Sequence, residues 1–559
     1  MARSPDGADR RVSPRLRQGR LARQARRVLS SASETPGSLR TLWRELLDRL
    51  REHPRAGALT LALLCTFGFF VGPPAWNQNS RLALTRALVE RGEVRIDDWH
   101  VTTGDKSYRD GHFYSDKAPG TSLLATIPYA AFVLARRATG AELPAVRVEP
   151  LDPAIEAAGA TPSPEDREPG DVLIYNRATF VALWLCRMFA VSLPTLLAGM
   201  LFYLVMLREL GDDRRLATWA GLIWLLATPA LGYACGFYGH QLVADLLVAS
   251  FALVVLADHR ERLAPSVGLA IGTLLGWAVL TEYTAAIPVV LIVAWASWRR
   301  ELRFGAWICA GGLPWALVLA GYHTWAFGGP LKTGYDFVYL DEFAEGMAVN
   351  YGIGAPQLDV LAQLLFGTYR GLFYLSPVLL LAAWGLGVRL WLGPEALEGD
   401  APARDAPEAE ALRVGDLALA LAIVAYYLLL NSGYYMWDGG ASLGPRHCVP
   451  MLAFLCLGLG PALRQVPRAT AILGVVACAQ IVLITAAGPE APSHGNPIWA
   501  YAYPKLFAGT SVNGATTLGR LMGLSGPWSL APLLALWWLL WPVEKNEREA
   551  ERARASVAG

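Results

Sequence analysis

The chain has 559 residues, of which 54% are apolar and 17% are charged, and its mean hydropathy is +0.32. Soluble globular proteins carry roughly 25% charged residues, whereas the apolar residues here form blocks of about 15 to 22, the length that a helix needs to cross a bilayer. The composition therefore predicts an all-α, polytopic membrane protein and excludes a soluble enzyme, a DNA-binding module and a disordered scaffold.

The charge is unevenly distributed, although its net value is only +2. Residues 1–55 contain fourteen arginines, no lysine and six acids, so the positive-inside rule predicts a basic cytoplasmic N-terminal arm. Because this arm lies beside an apolar segment, we expect a membrane and no nucleic acid as its partner. Nearly all basic residues of the chain are arginines, which is typical of a GC-rich bacterial genome.

Thirteen apolar segments follow in chain order, and we expect 12 or 13 transmembrane helices. Basic clusters near Arg208, Arg260, Arg299 and Arg464 should share the cytoplasmic face. Strict alternation of thirteen spans puts the Arg208 cluster outside, so either one early segment does not cross or one cluster breaks the rule. The segments lie at 57–73, 120–137, 178–207, 216–234, 242–257, 265–281, 284–297, 304–325, 371–391, 413–430, 447–463, 468–487 and 527–542.

The chain reads as one membrane domain, residues 56–542, followed by a charged tail, residues 543–559. Two stretches rich in Pro, Glu and Asp, 141–171 and 392–414, are expected to be solvated loops. Outer loops are expected at 74–119, 326–370, 431–446 and 488–526.

The first outer loop carries the densest group of charged side chains. A short helical pattern after Trp76 ends at Gly92 and predicts a helix on the membrane surface. Five aspartates, two histidines and two of the five lysines then fall within residues 97–117. Carboxylates can act as general bases toward a hydroxyl, and lysine, arginine or histidine can bind phosphate.

Ionisable residues inside apolar segments are also candidates for function, because charge is costly in hydrocarbon. They are Arg187, Asp245 and Glu282. Glu282 lies between two short apolar runs and can equally mark a helix break. His240 and Gln241 lie within about a turn and a half of Asp245, so they either face one cavity together or pair to fix helix packing.

No cofactor is expected. Clustered aspartates with histidine can hold Mg²⁺ or Mn²⁺, but the spacing here matches no ligand motif, so we predict no metal.

Several blocks of sequence, in order along the chain, resemble a known family. They are Asn-x-Asn-Ser-Arg, Ile-Asp, Thr-Gly-Asp-Lys and Asp-Gly-His-x-Tyr-Ser-Asp-Lys-Ala-Pro-Gly within 77–120, Tyr-Gly-His-Gln at 238–241, Phe-Gly-Gly-Pro-Leu-Lys-Thr-Gly-Tyr at 327–335, and Gly-Tyr-Tyr-Met-Trp-Asp-Gly-Gly-Ala-Ser-Leu-Gly-Pro-Arg-His at 433–447. Together they resemble bacterial GT-C glycosyltransferases similar to the dolichyl-phosphate-mannose protein mannosyltransferases, glycosyltransferase family 39.

The resemblance implies a GT-C-like helical fold and an inverting transfer of a sugar from a polyprenyl-phosphate-linked donor. The acceptor would be a hydroxyl of a protein, a lipid or a cell-envelope glycan, on the outer face of the bacterial cytoplasmic membrane. Besides the donor and the acceptor, membrane lipid is the expected partner. Fixed cations near the membrane surface would hold the lipid phosphate, and the candidates are Arg81, Lys117, Lys332 and Arg446.

This chain departs from the family at one place. Many members carry Asp-Glu directly after the first span, and the first Asp is the base; here the residues are Asn77 and Gln78. The candidates for the base are therefore Asp97 and Asp98, followed by Asp116. The candidates for substrate binding are His112, Tyr114, His240, Trp437 and Asp438.

Three other interpretations remain open. A transporter or lipid flippase also places charges within spans, but such proteins usually show repeated halves, which this sequence lacks. A ligase-like or polymerase-like enzyme would use a lipid-linked oligosaccharide as donor. A non-catalytic subunit could keep the fold and lose the base, an alternative that Asn77 and Gln78 support.

Overall fold

The computed structural model describes residues 38–53, 55–150, 171–393, 411–488, 490–492, 495–507 and 516–540. Most of the predicted N-terminal arm, the central parts of both Pro-rich stretches and the C-terminal tail lie outside these residues.

The described residues form helices with two small sheets of two antiparallel strands each. The strands are β1 (Lys106–Arg109), β2 (His112–Ser115), β3 (Val146–Pro150) and β4 (Asp171–Tyr175). The helices are α1 (Leu39–Arg51), α2 (Ala56–Phe69), α3 (Trp76–Arg86, continued by a π-helical turn Ala87–Arg91), α4 (Gly120–Thr139), α5 (Arg177–Glu209), α6 (Arg214–Leu226), α7 (Ala230–Ala234), α8 (Gly239–Leu256), α9 (Pro265–Thr281), α10 (Ala286–Arg299), α11 (Leu302–Phe327), α12 (Asp341–Met347), α13 (Leu358–Phe366), α14 (Leu372–Leu375), α15 (Val378–Leu392), α16 (Val414–Ser432), α17 (Leu452–Cys456), α18 (Leu459–Gln465), α19 (Pro467–Ala487), α20 (Tyr503–Phe507), α21 (Leu518–Leu521) and α22 (Ala531–Leu540).

The prediction of an all-α membrane protein is confirmed. Five helices of the described part, α5, α8, α11, α16 and α19, are long and apolar enough to cross a membrane, and a sixth candidate is the bent pair Arg446–Cys456 and Leu459–Gln465. Shorter apolar helices add to these, and the total of 12 or 13 spans stays a prediction. The helix α8 lies at the centre of the bundle, since 89% of its most apolar 18-residue segment is buried, against 22% of that in the peripheral α11.

Helices α9 and α11 pack backbone against backbone through glycines. A Cβ atom added at Gly272 would lie 1.9 Å from the Ile308 carbonyl oxygen, and one at Gly311 would lie 2.2 Å from that of Leu269. Small residues allow this close approach between membrane helices. The two helix backbones are therefore in direct contact along the glycine positions of α9 and α11.

The apolar segment 120–137, a predicted span, forms α4 and packs against the first outer loop and the start of α5. The middle of α4 lies against the end of α3, where Tyr129 donates to Glu90 with 2.5 Å between oxygens. Beyond α4, Arg86 Nη2 donates to the Pro144 carbonyl at 2.8 Å, and Asn79 Nδ2 donates to the Tyr175 hydroxyl at 2.9 Å. The described residues at both ends of the stretch from α4 to β4 therefore lie beside the first outer loop, as they would if α4 did not cross the membrane.

The basic clusters share one face of the protein, as the positive-inside rule predicts. The Asp258 carboxylate accepts from Arg208 at 3.0 Å and from Arg413 at 2.8 Å, and Arg299 lies 3.2 Å away. If α4 does not cross the membrane, the alternation of the remaining spans puts the Arg208 cluster on the same side as the later ones.

Labelling of introduced cysteines tests this path of the chain. In a variant without the seven native cysteines, we expect a membrane-impermeant maleimide to label Thr139→Cys from the same side of the membrane as Arg95→Cys, because α4 does not cross. Glu261→Cys is the control on the opposite face. If Thr139→Cys shares the labelling pattern of Glu261→Cys, α4 is a span after all.

Candidate functional site: a charged cavity under the first outer loop

A cavity of about 320 Å³ lies between the first outer loop and the helix bundle. Its wall combines charged side chains, tyrosines and a smaller apolar part. The lining residues are Asn77, Arg81, Asp105, Asp116, Lys117, His240, Glu282, Tyr283, Thr284, Thr333, Tyr335, Val338, Phe343, Met347, Tyr351, Ile353, Tyr426, Leu430, Asn431, Tyr434, Tyr435, Met436, Arg446 and His447.

The first wall comes from the β1–β2 hairpin. Its turn, Asp110-Gly111, has positive φ at both residues, the geometry of a tight hairpin turn. Lys106 pairs with Ser115 at the open end, so the residues just beyond, Asp105 and Asp116, come together. Lys117 Nζ lies between them, 3.1 Å from Asp105 Oδ2 and 2.9 Å from Asp116 Oδ2.

The two carboxyls that share this lysine are not equivalent. Burial disfavours the charged form of Asp105, but the charges of Lys117 and Arg446 outweigh it and hold the pKa of Asp105 below its usual value. For Asp116, burial outweighs the attraction of Lys117, and together with the charge of Asp105 it raises the pKa to about 6. The Asp116 Oδ1 atom is buried without a hydrogen-bond partner among the described residues. Asp105 is thus an anion at neutral pH, whereas Asp116 can gain or lose a proton near neutral pH.

The second wall joins α3 to the end of α9. Arg81 donates through Nη1 to the Asn77 amide oxygen and through Nη2 to Glu282 Oε1, the latter at 2.6 Å. Glu282 has extended backbone angles, φ −148° and ψ 125°, and ends α9, so the expected helix break is confirmed. His240 Nδ1 lies 3.8 Å from the same carboxylate oxygen. A Cβ atom at Gly239 would lie 2.2 Å from it, and the glycine leaves that space to the carboxylate.

The third wall is the segment after Gly444-Pro445. Arg446 passes over Gly439, where an added Cβ would lie 2.9 Å from Arg446 Cγ. In the described part of the chain, Arg446 forms no ion pair within 4.0 Å, and its guanidinium faces the cavity. The His447 ring meets those of His240 and Tyr434 edge to face, with centroids 5.3 and 5.1 Å apart.

Tyrosines and apolar side chains complete the wall. The tyrosines are Tyr283, Tyr335, Tyr351, Tyr426, Tyr434 and Tyr435, and the apolar residues are Val338, Phe343, Met347, Ile353 and Leu430. Aromatic rings that also carry hydroxyls suit a ligand with both an apolar face and polar groups. The cavity can therefore take a ligand that is partly anionic, partly hydroxylated and partly apolar.

Five of the residues proposed from the sequence meet in this cavity: Arg81, Asp116, Lys117, His240 and Arg446. They come from segments up to 365 positions apart in the chain, between Arg81 and Arg446.

The two aspartates placed first as candidate bases lie outside the cavity. Asp97 organises the loop, since its Oδ1 accepts from the Phe113 amide at 2.7 Å and its Oδ2 lies 2.8 Å from His112 Nδ1. Asp98 pairs with Arg91 at 2.6 Å on the exposed surface. Neither these two carboxylates nor His112 line the cavity, and their roles in catalysis and substrate binding stay predictions.

Four other candidates also lie outside the cavity-lining set. Lys332 packs over the Phe337 ring at 5.7 Å. Tyr114 packs on Phe327 in a small apolar cluster. The remaining two are Trp437 and Asp438, which both contact Tyr369. The Tyr369 ring meets that of Trp437, and its hydroxyl donates to Asp438 at 3.0 Å.

The sequence analysis did not predict Asp105 as a site residue and gave Glu282 no definite role. Asp105 belongs to the Thr-Gly-Asp-Lys block, and the pairing of the two flanking strands was the signal that could have placed it beside Asp116. Glu282 was interpreted as a break or a site, and it is both at the break and in the cavity. No group of three His, Cys, Asp or Glu side chains suited to a metal ion occurs among the described residues.

The unequal carboxyls predict opposite effects of two similar substitutions. The folded state holds the Asp116 proton more tightly than the unfolded chain, so the stability from this proton is complete below pH 3.8 and is lost as the pH rises through about 6. We expect Asp116→Asn to raise the melting temperature relative to wild type more at pH 7.5 than at pH 5, by at least about 2 °C.

Asp105→Asn is the matched comparison, because the lowered pKa of Asp105 gives stability that is present above its usual value. We expect it to lower the melting temperature at both pH values. Thermal unfolding of the purified proteins in detergent measures both effects, and equal pH dependence of the two variants would contradict the assignment.

Comparison with known proteins finds distant structural likeness only. No protein-family model matches the chain, and no curated protein matches it. ArnT from Cupriavidus metallidurans in the apo state aligns with a TM-score of 0.42 and 16% identity, over 87% of this chain and 74% of that one. The same protein bound to undecaprenyl phosphate aligns with a TM-score of 0.40 and 14% identity over the same shares. Both TM-scores lie below 0.5, so the resemblance to glycosyltransferase family 39 stays a prediction.

Proposed function

We propose that this protein is a membrane glycosyltransferase that moves a sugar from a polyprenyl-phosphate-linked donor to a hydroxyl acceptor. The observation that carries the proposal is the cavity itself, in which a lysine and two arginines face the same space as three carboxylates and a wall of tyrosines. The donor needs a cationic site for its phosphate, a polar and aromatic site for its sugar, and an apolar passage for its lipid.

Lys117 and Arg446 are the phosphate ligands in this proposal. An ammonium group has three N–H donors, and Lys117 uses two of them on Asp105 and Asp116, which leaves one for a phosphate oxygen. The guanidinium of Arg446 presents a planar fork that matches two phosphate oxygens. Arg81 is different, because Asn77 and Glu282 already bind its two terminal nitrogens.

The tyrosine wall is the proposed sugar site. Tyr335 and Tyr434 line the cavity together with the charged residues, so a sugar joined to a phosphate at Lys117 would meet their rings and hydroxyls. The apolar residues Phe343, Met347 and Leu430 lie on the same wall and would cover the first part of the lipid chain.

The reaction would take place on the face of the membrane opposite to the Arg208 and Arg299 clusters. The positive-inside rule makes that face the outer one, which agrees with a lipid-linked donor rather than a nucleotide sugar. A bacterial cytoplasmic membrane is the proposed location, and a protein, a lipid or an envelope glycan is the proposed acceptor.

A donor screen tests the proposal. The protein in nanodiscs is incubated with radiolabelled polyprenyl-phosphate sugars and with membrane extract from a strain that lacks the gene, with and without EDTA. Transfer of label to a new product supports a glycosyltransferase, and sensitivity to EDTA would overturn the prediction that no metal is needed. Donor binding without transfer would favour the inactive subunit, and carrier export without transfer would favour a flippase.

Substitutions in the phosphate site give the matching quantitative prediction. A hydrogen bond to a charged group contributes about 1.5–3 kcal/mol, so Lys117→Met and Arg446→Gln should each weaken donor binding about 10- to 100-fold. Lys505→Met and Arg95→Gln are the controls, since Lys505 packs on Tyr501 and Arg95 pairs with Glu93, both away from the cavity. Binding unchanged in both test variants would remove the phosphate site from this wall.

A further inference from the structure

We infer that Glu282 is the general base, the group that removes the proton from the acceptor hydroxyl. The inference rests on the proposed function and names the base that the sequence left open. It follows from the positions of the three cavity carboxylates relative to Lys117, and from the state of the two oxygens of Glu282.

The first argument concerns the face of the donor sugar on which each carboxylate would lie. In an inverting transfer the acceptor oxygen attacks the anomeric carbon from the face opposite to the leaving phosphate, so the base lies across the sugar from the phosphate ligands. Asp105 and Asp116 are both bonded to Lys117 Nζ, at 3.1 and 2.9 Å. Carboxylates that touch the phosphate ligand lie on the leaving side. Glu282 has no ion pair with Lys117 and is held on the other wall by Arg81.

The second argument is about the two oxygens of Glu282. Arg81 Nη2 donates to Oε1 at 2.6 Å, and His240 Nδ1 lies 3.8 Å from the same atom. Among the described residues Oε2 receives no hydrogen bond, and the side chain lines the cavity. One oxygen therefore fixes the carboxylate, and the other is left for an acceptor hydroxyl.

The third argument is that the fold makes room for this carboxylate. Helix α9 ends at Glu282 in extended backbone, and irregular backbone within a membrane domain is tolerated where it lines a cavity. Gly239 leaves the volume that Oε1 occupies, and Gly120 allows the first outer loop to touch Thr281, where an added Cβ would lie 2.5 Å from the Thr281 hydroxyl. An ionisable residue in such a place is expected to be functional.

Other groups on this wall cannot do the same work. The Asn77 side chain is an amide and has no basic lone pair on nitrogen. Its oxygen is occupied by Arg81. The His240 ring packs edge to face on Tyr233 and His447, and its Nδ1 lies 3.8 Å from Glu282 Oε1, so its polar side is directed at the carboxylate.

In the proposed step the acceptor O–H bond breaks and its proton goes to Glu282 Oε2, while the acceptor oxygen forms a new bond to the anomeric carbon. The bond between that carbon and the phosphate oxygen breaks, and its electron pair stays on the phosphate, which Lys117 and Arg446 bind. The configuration at carbon inverts, and Glu282 then releases its proton to water.

The test compares Glu282→Gln with wild type in nanodiscs, because the amide keeps an acceptor for Arg81 but cannot take a proton. A general base contributes about 10²- to 10⁴-fold to the rate, so kcat should fall at least 100-fold. The Kd for undecaprenyl phosphate should stay within about threefold, since the phosphate ligands are untouched. Glu282→Asp should recover part of kcat, and the acidic limb of the pH profile of kcat/KM should be lost in Glu282→Gln.

Two controls separate this role from a structural one. Asp245→Asn changes a buried carboxylate that is bonded to Thr195 and Gln241 outside the cavity, and it should leave kcat unchanged. In Glu282→Ala, added formate should restore part of the turnover, which a purely structural defect would not allow.

The inference is overturned if Glu282→Gln keeps kcat within tenfold of wild type, or if it loses phosphate binding and turnover together. It is also overturned if Asp116→Asn, and not Glu282→Gln, abolishes the acidic limb of the pH profile of kcat/KM. The proposed function can fail separately: no transfer and no binding of undecaprenyl phosphate by the wild-type protein would overturn both claims at once.

Discussion

The ion pair between Arg81 and Glu282 joins the first outer loop to the helix bundle, and the geometry of the cavity depends on it. Arg81 belongs to α3 in the loop, and Glu282 ends α9 in the bundle, 201 positions later in the chain. Both side chains are nearly inaccessible to solvent. Moving the loop away from the bundle would break this buried hydrogen bond, which is unfavourable, whereas an amide in place of the Glu282 carboxylate would keep it. The pair therefore holds the two charged walls of the cavity together.

The arrangement of charge around this space follows from the low dielectric of its surroundings. Three cations, Arg81, Lys117 and Arg446, face three carboxylates, those of Asp105, Asp116 and Glu282. Two of the cations are hydrogen-bonded to carboxylates, whereas Arg446, whose Nε donates to His447 Nε2 at 3.5 Å, forms no ion pair in the described part of the chain. A wall that is neutral overall but has one arginine without an ion pair favours an incoming anion without requiring a large unpaired charge in the protein before the anion binds.

The sequence predicted the helical fold, the surface helix and five residues of the cavity, because these depend on local patterns. Hydropathy defines the helices, and the blocks around Arg81, Lys117 and Arg446 are recognisable as motifs. Local patterns could not predict which of the loop aspartates line the cavity. Asp97, Asp98 and Asp105 are the same residue type in the same loop, and the pairing of Lys106 with Ser115 is what places Asp105 beside Asp116. The path of α4 was missed for a related reason, since its composition suits both a span and a helix that packs against α3.

The two unequal carboxyls beside Lys117 have a consequence for the end of the proposed reaction. A donor phosphodiester carries one negative charge, and the carrier phosphate that leaves has an additional ionisable oxygen, so negative charge accumulates next to Asp105 and Asp116. Asp105 stays ionised under these conditions, because Lys117 and Arg446 hold its pKa low. Asp116 has a pKa of about 6, and a new anion nearby raises it further. Proton uptake by Asp116 would then offset part of the added charge and leave Lys117 to the phosphate. On this argument Asp116 acts on the leaving side and Glu282 on the acceptor side, and the position of each carboxyl relative to Lys117 is what divides the two roles.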